Sequence, residues 1–251
     1  MIRFFATPQD VIAKSIKLNE EDSKHIRTLR LRPDEQFIVC DGNGTDYVCI
    51  LGERTDGTLA DIISKRGSHG EPTVVCKVYM AYSKGDRLDF AVQKSVELGV
   101  HEIILFESER CVAVPRDIPK KVARLQRIAL ETAKQSGRGI IPAVSSGGSL
   151  NSVIDDAVKN SALSMFFYER ENHLHIKNVL EEHFSSVSEH DNNTAKTISL
   201  ITGPEGGFEP HEAESAKSKG ILTVSLGTRV LRSETAPVAA LAAIMYQTGN
   251  L

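Results

Sequence analysis

The sequence predicts an α/β protein, a mainly parallel sheet with helices on both faces, preceded by a smaller β-rich region. Three observations carry this expectation. From residue 72 onwards, short apolar runs alternate with segments of helical period. The first 70 residues instead hold strand-like runs around a Gly42-Asn43-Gly44 turn. Between them lies "KRGSHGEP", residues 65 to 72, with glycines, charges and a proline but no periodicity, as a linker has. The division is therefore expected between 1–70 and 71–251.

In the first region, "EQFIVCDGNGTDYVCIL" reads as two strands around a turn whose glycines supply positive φ. Asp41, Asn43 and Thr45 alternate as at the opening of a calcium loop, but its twelfth position is Gly52, where a bidentate Glu is required. A hairpin is the expectation. In "HIRTLRLRP", alternation puts Arg30 and Arg32 on one face of a strand.

Beyond the linker, "TVVCKVYMAY" is a strand, "DRLDFAVQKSVELG" a helix ended by Gly99, and "VHEIILFE" the next strand. A helix from Pro119 to Ser136 opens with Asp117 near its N-cap and stops at Gly137. A short apolar stretch, a helix near 149–160, the strand "ALSMFFYE" and a helix near 172–184 follow. Then come "TISLIT", a helix from Pro210 to Gly220, "ILTVSL", and an Ala-rich helix from 234 with Ser233 as its expected N-cap.

No apolar run approaches the roughly 20 residues that span a bilayer, and "MIRFFATPQDV" lacks a signal-peptide core. A cytoplasmic protein without membrane contact is expected. Cys40, Cys49, Cys76 and Cys111 form no CxxC pair and sit in strand-like contexts, so they read as buried apolar residues. No zinc spacing occurs among the histidines, and no metal is expected.

The net charge of −3 conceals a segregation. Residues 110 to 142 carry eight basic residues against Asp117 and Glu131, a local +6 that leaves the remainder at −9. At about 100° per residue, Lys120, Arg124, Arg127, Glu131, Lys134 and Arg138 share one arc of the helix, opposite Val122, Leu125, Ile128, Ala129 and Thr132. A solvated face ordinarily mixes signs for i,i+4 support. This one is nearly all positive, which suits a polyanion.

Phosphate loops fail on detail, since neither GxxxxGK[ST] nor GxGxxG after the first strand is present. "LITGPEGGF" nevertheless ends an apolar strand where open α/β sheets bind small molecules. Gly206 and Gly207 admit close backbone approach, and Glu205 favours a cationic or hydroxyl-bearing ligand over a phosphate. A second strand ends at Gly227 in "SLGTRVLRSETAP", with Arg229, Arg232 and Glu234 behind it. Two adjacent strands ending in such loops would form a pocket.

"LITGPEGGF" followed by "LGTRVLRSETA" closely resembles the ribosomal small-subunit methyltransferase E family of the SPOUT superfamily. "RFF", "HIRTLRLR", "QKSVELGV" and "ETAKQSGRGIIP" extend the likeness over nearly the whole chain. Glu209 departs from it, standing where a small hydroxyl residue would cap the next helix. The resemblance implies a PUA-like N-terminal RNA-binding domain and a trefoil-knotted SPOUT domain that forms a homodimer. It implies S-adenosylmethionine held by Thr202, Gly203, Pro204, Glu205 and Gly207, and by Leu226, Gly227, Val230, Leu231, Arg232 and Thr235. It also implies 16S rRNA of the small ribosomal subunit as partner, contacted by His25, Arg27, Arg30, Arg32, Lys94, Arg124, Arg127, Lys134 and Arg138. The implied reaction is methylation of uridine N3. Arg232 or Arg229 would stabilise charge on the uracil oxygens, and Glu205 or Glu234 would accept the proton. Another SPOUT methylation of RNA, or a catalytically silent RNA-binding or ribosome-assembly protein, are the alternatives.

Overall fold

The computed structural model describes residues 1–52, 58–185 and 197–251. It divides into two units, Met1–Glu71 with Glu131–Ile141, and Pro72–Leu130 with Pro142–Leu251. Segment 131–141, which a division near residue 70 leaves with the later part of the chain, groups with the first unit.

In the first unit the alternating sequence around the GNG turn forms β4 (Phe37–Cys40) and β5 (Thr45–Leu51) as the expected hairpin. Asp41 Oδ1 accepts the backbone N–H groups of Asn43 at 2.8 Å and Thr45 at 3.0 Å, so its carboxylate closes the turn. With β1 (Arg3–Phe5), β2 (Val11–Ile12), β3 (Ser15–Lys17) and β6 (Leu59–Gly67), these form a sheet ordered β1-β4-β5-β6-β3-β2. Only β1 and β4 pair in parallel. Phe4, Ile16, Ile26, Phe37 and Val39 build its core. Arg3 donates through Nη1 and Nη2 to both oxygens of Asp46, at 2.6 and 2.7 Å, an almost fully buried ion pair.

Two expectations fail here. Lys65–Gly67 of the supposed linker belong to β6, and Glu71 accepts from Arg138 Nε at 2.9 Å, Arg138 Nη2 at 2.7 Å and the N–H groups of Gly139 and Ile140. The strand expected around Arg30 and Arg32 is instead the C-terminal end of helix α1 (Glu20–Leu29), with Arg30 as a left-handed C-cap at φ 53°. Asn19 caps that helix by accepting the Asp22 N–H at 2.8 Å, and Glu20, Glu21 and Asp22 meet its positive end. Those start signals lie upstream of the alternating arginines and outweigh them.

The second unit is a parallel sheet of β7 (Val75–Ala81), β8 (Glu102–Glu107), β9 (Ala143–Ser149), β10 (Leu163–Phe167), β11 (Thr197–Thr202) and β12 (Leu222–Val224), ordered β12-β10-β11-β7-β8-β9. Every pairing in it is parallel, and its central strands are continuous apolar runs, as strands covered on both faces must be. Helices α4 (Leu150–Asn160) and α6 (Pro210–Ser218) give Leu150, Val153, Ile154, Ala157, Ala213 and Ala216 to one core with Tyr79, Phe106, Phe166 and Phe208. Helices α2 (Arg87–Glu97) and α5 (Ile176–Ser185) each pack on α7 (Thr235–Gln247), which also lies on β7 and β11. Helix α3 (Ile118–Ser136) opens with Asp117 accepting the Lys120 N–H at 2.9 Å and ends before Gly137 at φ 75°, as expected.

The apolar stretch expected after α3 is followed by a strand, β9, which escapes a periodicity reading because "AVSSGGS" carries almost no apolar side chains and sits at the sheet edge. Nor are the two glycine-ended strands adjacent: β10 lies between β11 and β12. The positive stripe of α3 is also less bare than its sequence implies. Lys121 (3.4 Å) and Arg124 both pair with Asp89 of α2. Lys134 pairs with Asp22 at 2.9 Å, its side chain 14% exposed, and Arg138 with Glu71 at 2.7 Å, its side chain 3% exposed. Besides Glu131 of the same helix, 3.3 Å from Lys134, the counter-charges come from elsewhere in the chain.

Cys40, Cys49 and Cys76 are buried, and burial pushes the Cys49 and Cys76 thiols up to about 12, so they behave as small apolar residues. Among the described residues no group of three or more His, Cys, Asp or Glu could hold a metal ion, and no helix is long and apolar enough to cross a membrane.

Candidate active site

The C-terminal ends of β11, β10 and β12 surround a cavity of about 510 Å³. Its floor is set by Phe208, fully buried, with its ring centroid 4.1 Å from Phe166 and 6.4 Å from Phe106. This anchor holds the Gly203–Gly207 loop against the sheet. A Cβ on Gly203 would lie 2.9 Å from the Phe208 ring. Gly207 has φ 69° and its missing Cβ would fall 2.4 Å from Glu169 Oε1. Gly207→Ala is therefore expected to lower stability by about 1–2 kcal/mol from the left-handed backbone alone. An unchanged midpoint in urea unfolding would contradict the loop's description.

Gly203, Pro204, Glu205 and Gly207 line the cavity, and so do Leu226, Gly227, Arg229, Val230, Leu231, Arg232 and Glu234. Thr202 and Thr235 are not among its walls. Thr202 is buried and donates its hydroxyl to the Tyr79 carbonyl at 3.2 Å, inside the sheet. Ser233 does not cap α7: Glu234 stands at the N-cap, and the Ser233 hydroxyl donates to Glu234 Oε2 at 3.2 Å. The Arg232 carbonyl accepts the N–H groups of Thr235 and Ala236, which fixes that backbone to the first turn of α7. The guanidinium groups of Arg229 and Arg232 make no ion pair among the described residues.

Among the wall residues that were not anticipated are Arg87, Glu169 and Asn172. Arg87, the first residue of α2, donates to Glu205 Oε1 at 2.5 Å and lies 3.6 Å from Glu234 Oε2. Glu169 and Asn172 come from the loop after β10. Glu169 of the "YER" that follows that strand was the available signal, but it means something only once β10 is known to lie between β11 and β12. Behind the loop, Arg110 donates to the Gly206 carbonyl at 2.9 Å and to Glu209 at 2.6 Å, holding that carboxyl below the usual range. Glu209 thus stands in for a small capping hydroxyl by being clamped from outside, while its N–H is taken by Glu212 Oε2 at 2.8 Å.

Glu205 is the most constrained acid of the cavity. Burial raises its pKa, but the Lys84 N–H at 2.7 Å, its own N–H and the Arg87 guanidinium together hold it below the ordinary value of 4.5.

Of the residues expected to meet RNA, His25, Arg27, Arg30 and Arg32 are exposed on and just after α1. Lys94 pairs with Glu97 of its own helix at 2.7 Å, Arg124 with Asp89, and Arg127 is exposed. Lys134 and Arg138 are largely buried in their ion pairs and present little charge to a phosphate.

A parallel sheet with a walled cavity at its strand ends, in a chain that also carries a β-rich unit, is the arrangement in which α/β enzymes hold a small ligand. Residues 70–245 match the family of RNA methyltransferase domains, and residues 18–60 match the RNA methyltransferase PUA domain. The chain is 32% identical to the ribosomal RNA small subunit methyltransferase E of Mesomycoplasma hyopneumoniae over 95% of its length and 96% of that protein's. It is 30% identical to the Bacillus subtilis protein of the same name over 94% and 91% of the two chains. The crystal structure of the Neisseria gonorrhoeae ribosomal RNA small subunit methyltransferase E bound to S-adenosyl methionine has a TM-score of 0.81 at 30% identity, covering 98% and 97%. The chain belongs to the ribosomal RNA small subunit methyltransferase E family.

Proposed function

We propose that this protein transfers a methyl group from S-adenosylmethionine to N3 of a specific uridine of 16S rRNA, in the cytoplasm and on the small ribosomal subunit. The observation that carries this reading is the cavity itself: two glycine-lined loops and a third strand end, with Glu169, Glu205 and Glu234 on its walls beside Arg229 and Arg232, which make no ion pair among the described residues. The cofactor fits that chemistry. Gly203 and Gly207 let Phe208 and Glu169 close on the loop that walls the cavity, Leu226, Val230 and Leu231 offer apolar surface to an adenine, and Glu169 and Glu205 tolerate a cation where a phosphate would be repelled.

When bound, the sulfonium supplies an electrophilic methyl whose bond to sulfur breaks as its bond to N3 forms, the electron pair staying on sulfur. In this reading Arg232, on the cavity wall, stabilises charge on the uracil oxygens, with Arg229 in the same loop. Glu234 or Glu205 accepts the N3 proton; the hydrogen bonds already made to Glu205 favour Glu234. The target base must leave any stack to enter the cavity. His25, Arg27, Arg30, Arg32, Lys94, Arg124 and Arg127 are the proposed phosphate contacts.

The trefoil knot and the homodimer belong to the same reading. In favour of the knot, the chain passes from β10 to β11 on one side of it and returns as β12 on the other. In favour of the dimer, Phe90 on α2 and Tyr246 on α7 are 46% and 76% exposed on two helices that pack together.

The test is incubation with methyl-labelled cofactor and small subunits from a strain lacking the gene, followed by mapping of the modified nucleotide. Label at N3 of one uridine is expected. Label on a ribose or a purine would support another SPOUT activity, and none at all would point to a silent RNA-binding protein.

A further inference from the structure

Arg87 lies between two acids that come from distant parts of the chain. Its Nη1 is 2.5 Å from Glu205 Oε1, on the loop after β11, and its Nε is 3.6 Å from Glu234 Oε2, at the start of α7. All three residues line the cavity. We propose that Arg87 is a positioning residue for methyl transfer: it locks Glu205 as an ionised strut of the cofactor loop and steers Glu234, without a hydrogen bond, as the carboxylate that takes the proton. This rests on the methyltransferase reading above.

The two acids differ in a way that assigns them different work. Glu205 Oε1 accepts both the Lys84 N–H and the Arg87 guanidinium, so protonating this carboxyl would weaken two charge-assisted bonds at once. Glu234 lies beyond hydrogen-bond distance of Arg87 and accepts from Ser233 through Oε2, with Oε1 making no hydrogen bond among the described residues. A cation at that distance orients a carboxylate electrostatically and leaves an oxygen open to a substrate proton.

The sign of the pH effect follows. A depressed pKa means that the Glu205 contacts are complete above the ordinary range and are lost only as the pH falls through the lowered value. The other charges facing this pair are Lys84 ahead of α2, Arg110 behind the loop, Glu169 after β10, and Arg229 and Arg232 before α7. All five remain when Arg87 is changed, so a shift on its replacement is its own.

Wild type, Arg87→Gln and Arg87→Lys are to be compared by carbon-13 NMR titration of the glutamate carboxyls, with the Glu205 resonance assigned through Glu205→Gln. Calorimetric titration with S-adenosylmethionine and single-turnover transfer across the acid range accompany it. In Arg87→Gln the Glu205 midpoint is expected to rise, and the acid limb of transfer to rise with the loss of the loop's strut. In Arg87→Lys the Glu205 midpoint stays low, but loss of the planar fork slows single turnover about tenfold. An unmoved Glu205 midpoint in Arg87→Gln overturns the proposal. So does an Arg87→Lys enzyme as fast as wild type, which is also the deciding measurement if Arg87→Gln does not fold. Wild type that binds no S-adenosylmethionine would instead overturn the methyltransferase reading, while the NMR titration still decides whether Arg87 holds Glu205.

Discussion

Replacing Arg232 with alanine is expected to lower single-turnover methyl transfer by about 10²–10³-fold, the usual cost of removing one donor to developing negative charge. Affinity for S-adenosylmethionine should stay within a few fold, because the loop's shape does not depend on the guanidinium. The Arg232 carbonyl, not its side chain, receives the first N–H groups of α7, and the guanidinium makes no ion pair among the described residues. Its charge is therefore available to a substrate oxygen. Single-turnover kinetics with saturating cofactor, beside calorimetry, separate the two effects. Unaltered turnover would refute the role, and a parallel collapse of affinity would make Arg232 a cofactor ligand instead.

The second large effect lies in the first unit. Glu71→Ala is expected to destabilise the protein by about 3–5 kcal/mol, since it removes from the buried Arg138 guanidinium the carboxylate that receives two of its hydrogen bonds. Arg138 is 3% exposed at its side chain and donates twice to Glu71, which also receives the N–H groups of Gly139 and Ile140. Four bonds converge on one carboxylate that joins the end of the first sheet's chain segment to residues 131–141. Urea unfolding monitors this directly. A loss below about 1 kcal/mol would mean that the pair behaves as an exposed surface ion pair.

Much of the second unit was legible because its signals are local. Apolar runs closed by Gly203-Pro204 and Gly227 mark strand ends, and parallel α/β sheets put ligands there. The GNG turn specified its hairpin for the same reason. What stayed hidden depends on which strands become neighbours. Arg87 and Glu169 enter the cavity only because β10 separates β11 from β12 and α2 packs against α7. Asp22 and Glu71, which pair with Lys134 and Arg138, lie more than sixty residues away in sequence, so helical periodicity alone could not show these pairings. In "HIRTLRLRP" a brief alternation competed with a helix whose cap, Asn19, and acidic first turn lay upstream. Edge strand β9 carried too few apolar side chains for any periodicity to show.

Co-crystallisation with S-adenosylmethionine tests the central claim most directly. The cofactor is expected between the Gly203–Gly207 and Leu226–Leu231 loops, with its methyl group turned towards Arg232 and Glu234 and the Arg87–Glu205 pair intact beside it. A cofactor bound elsewhere, or a methyl group facing away from both residues, would contradict the account.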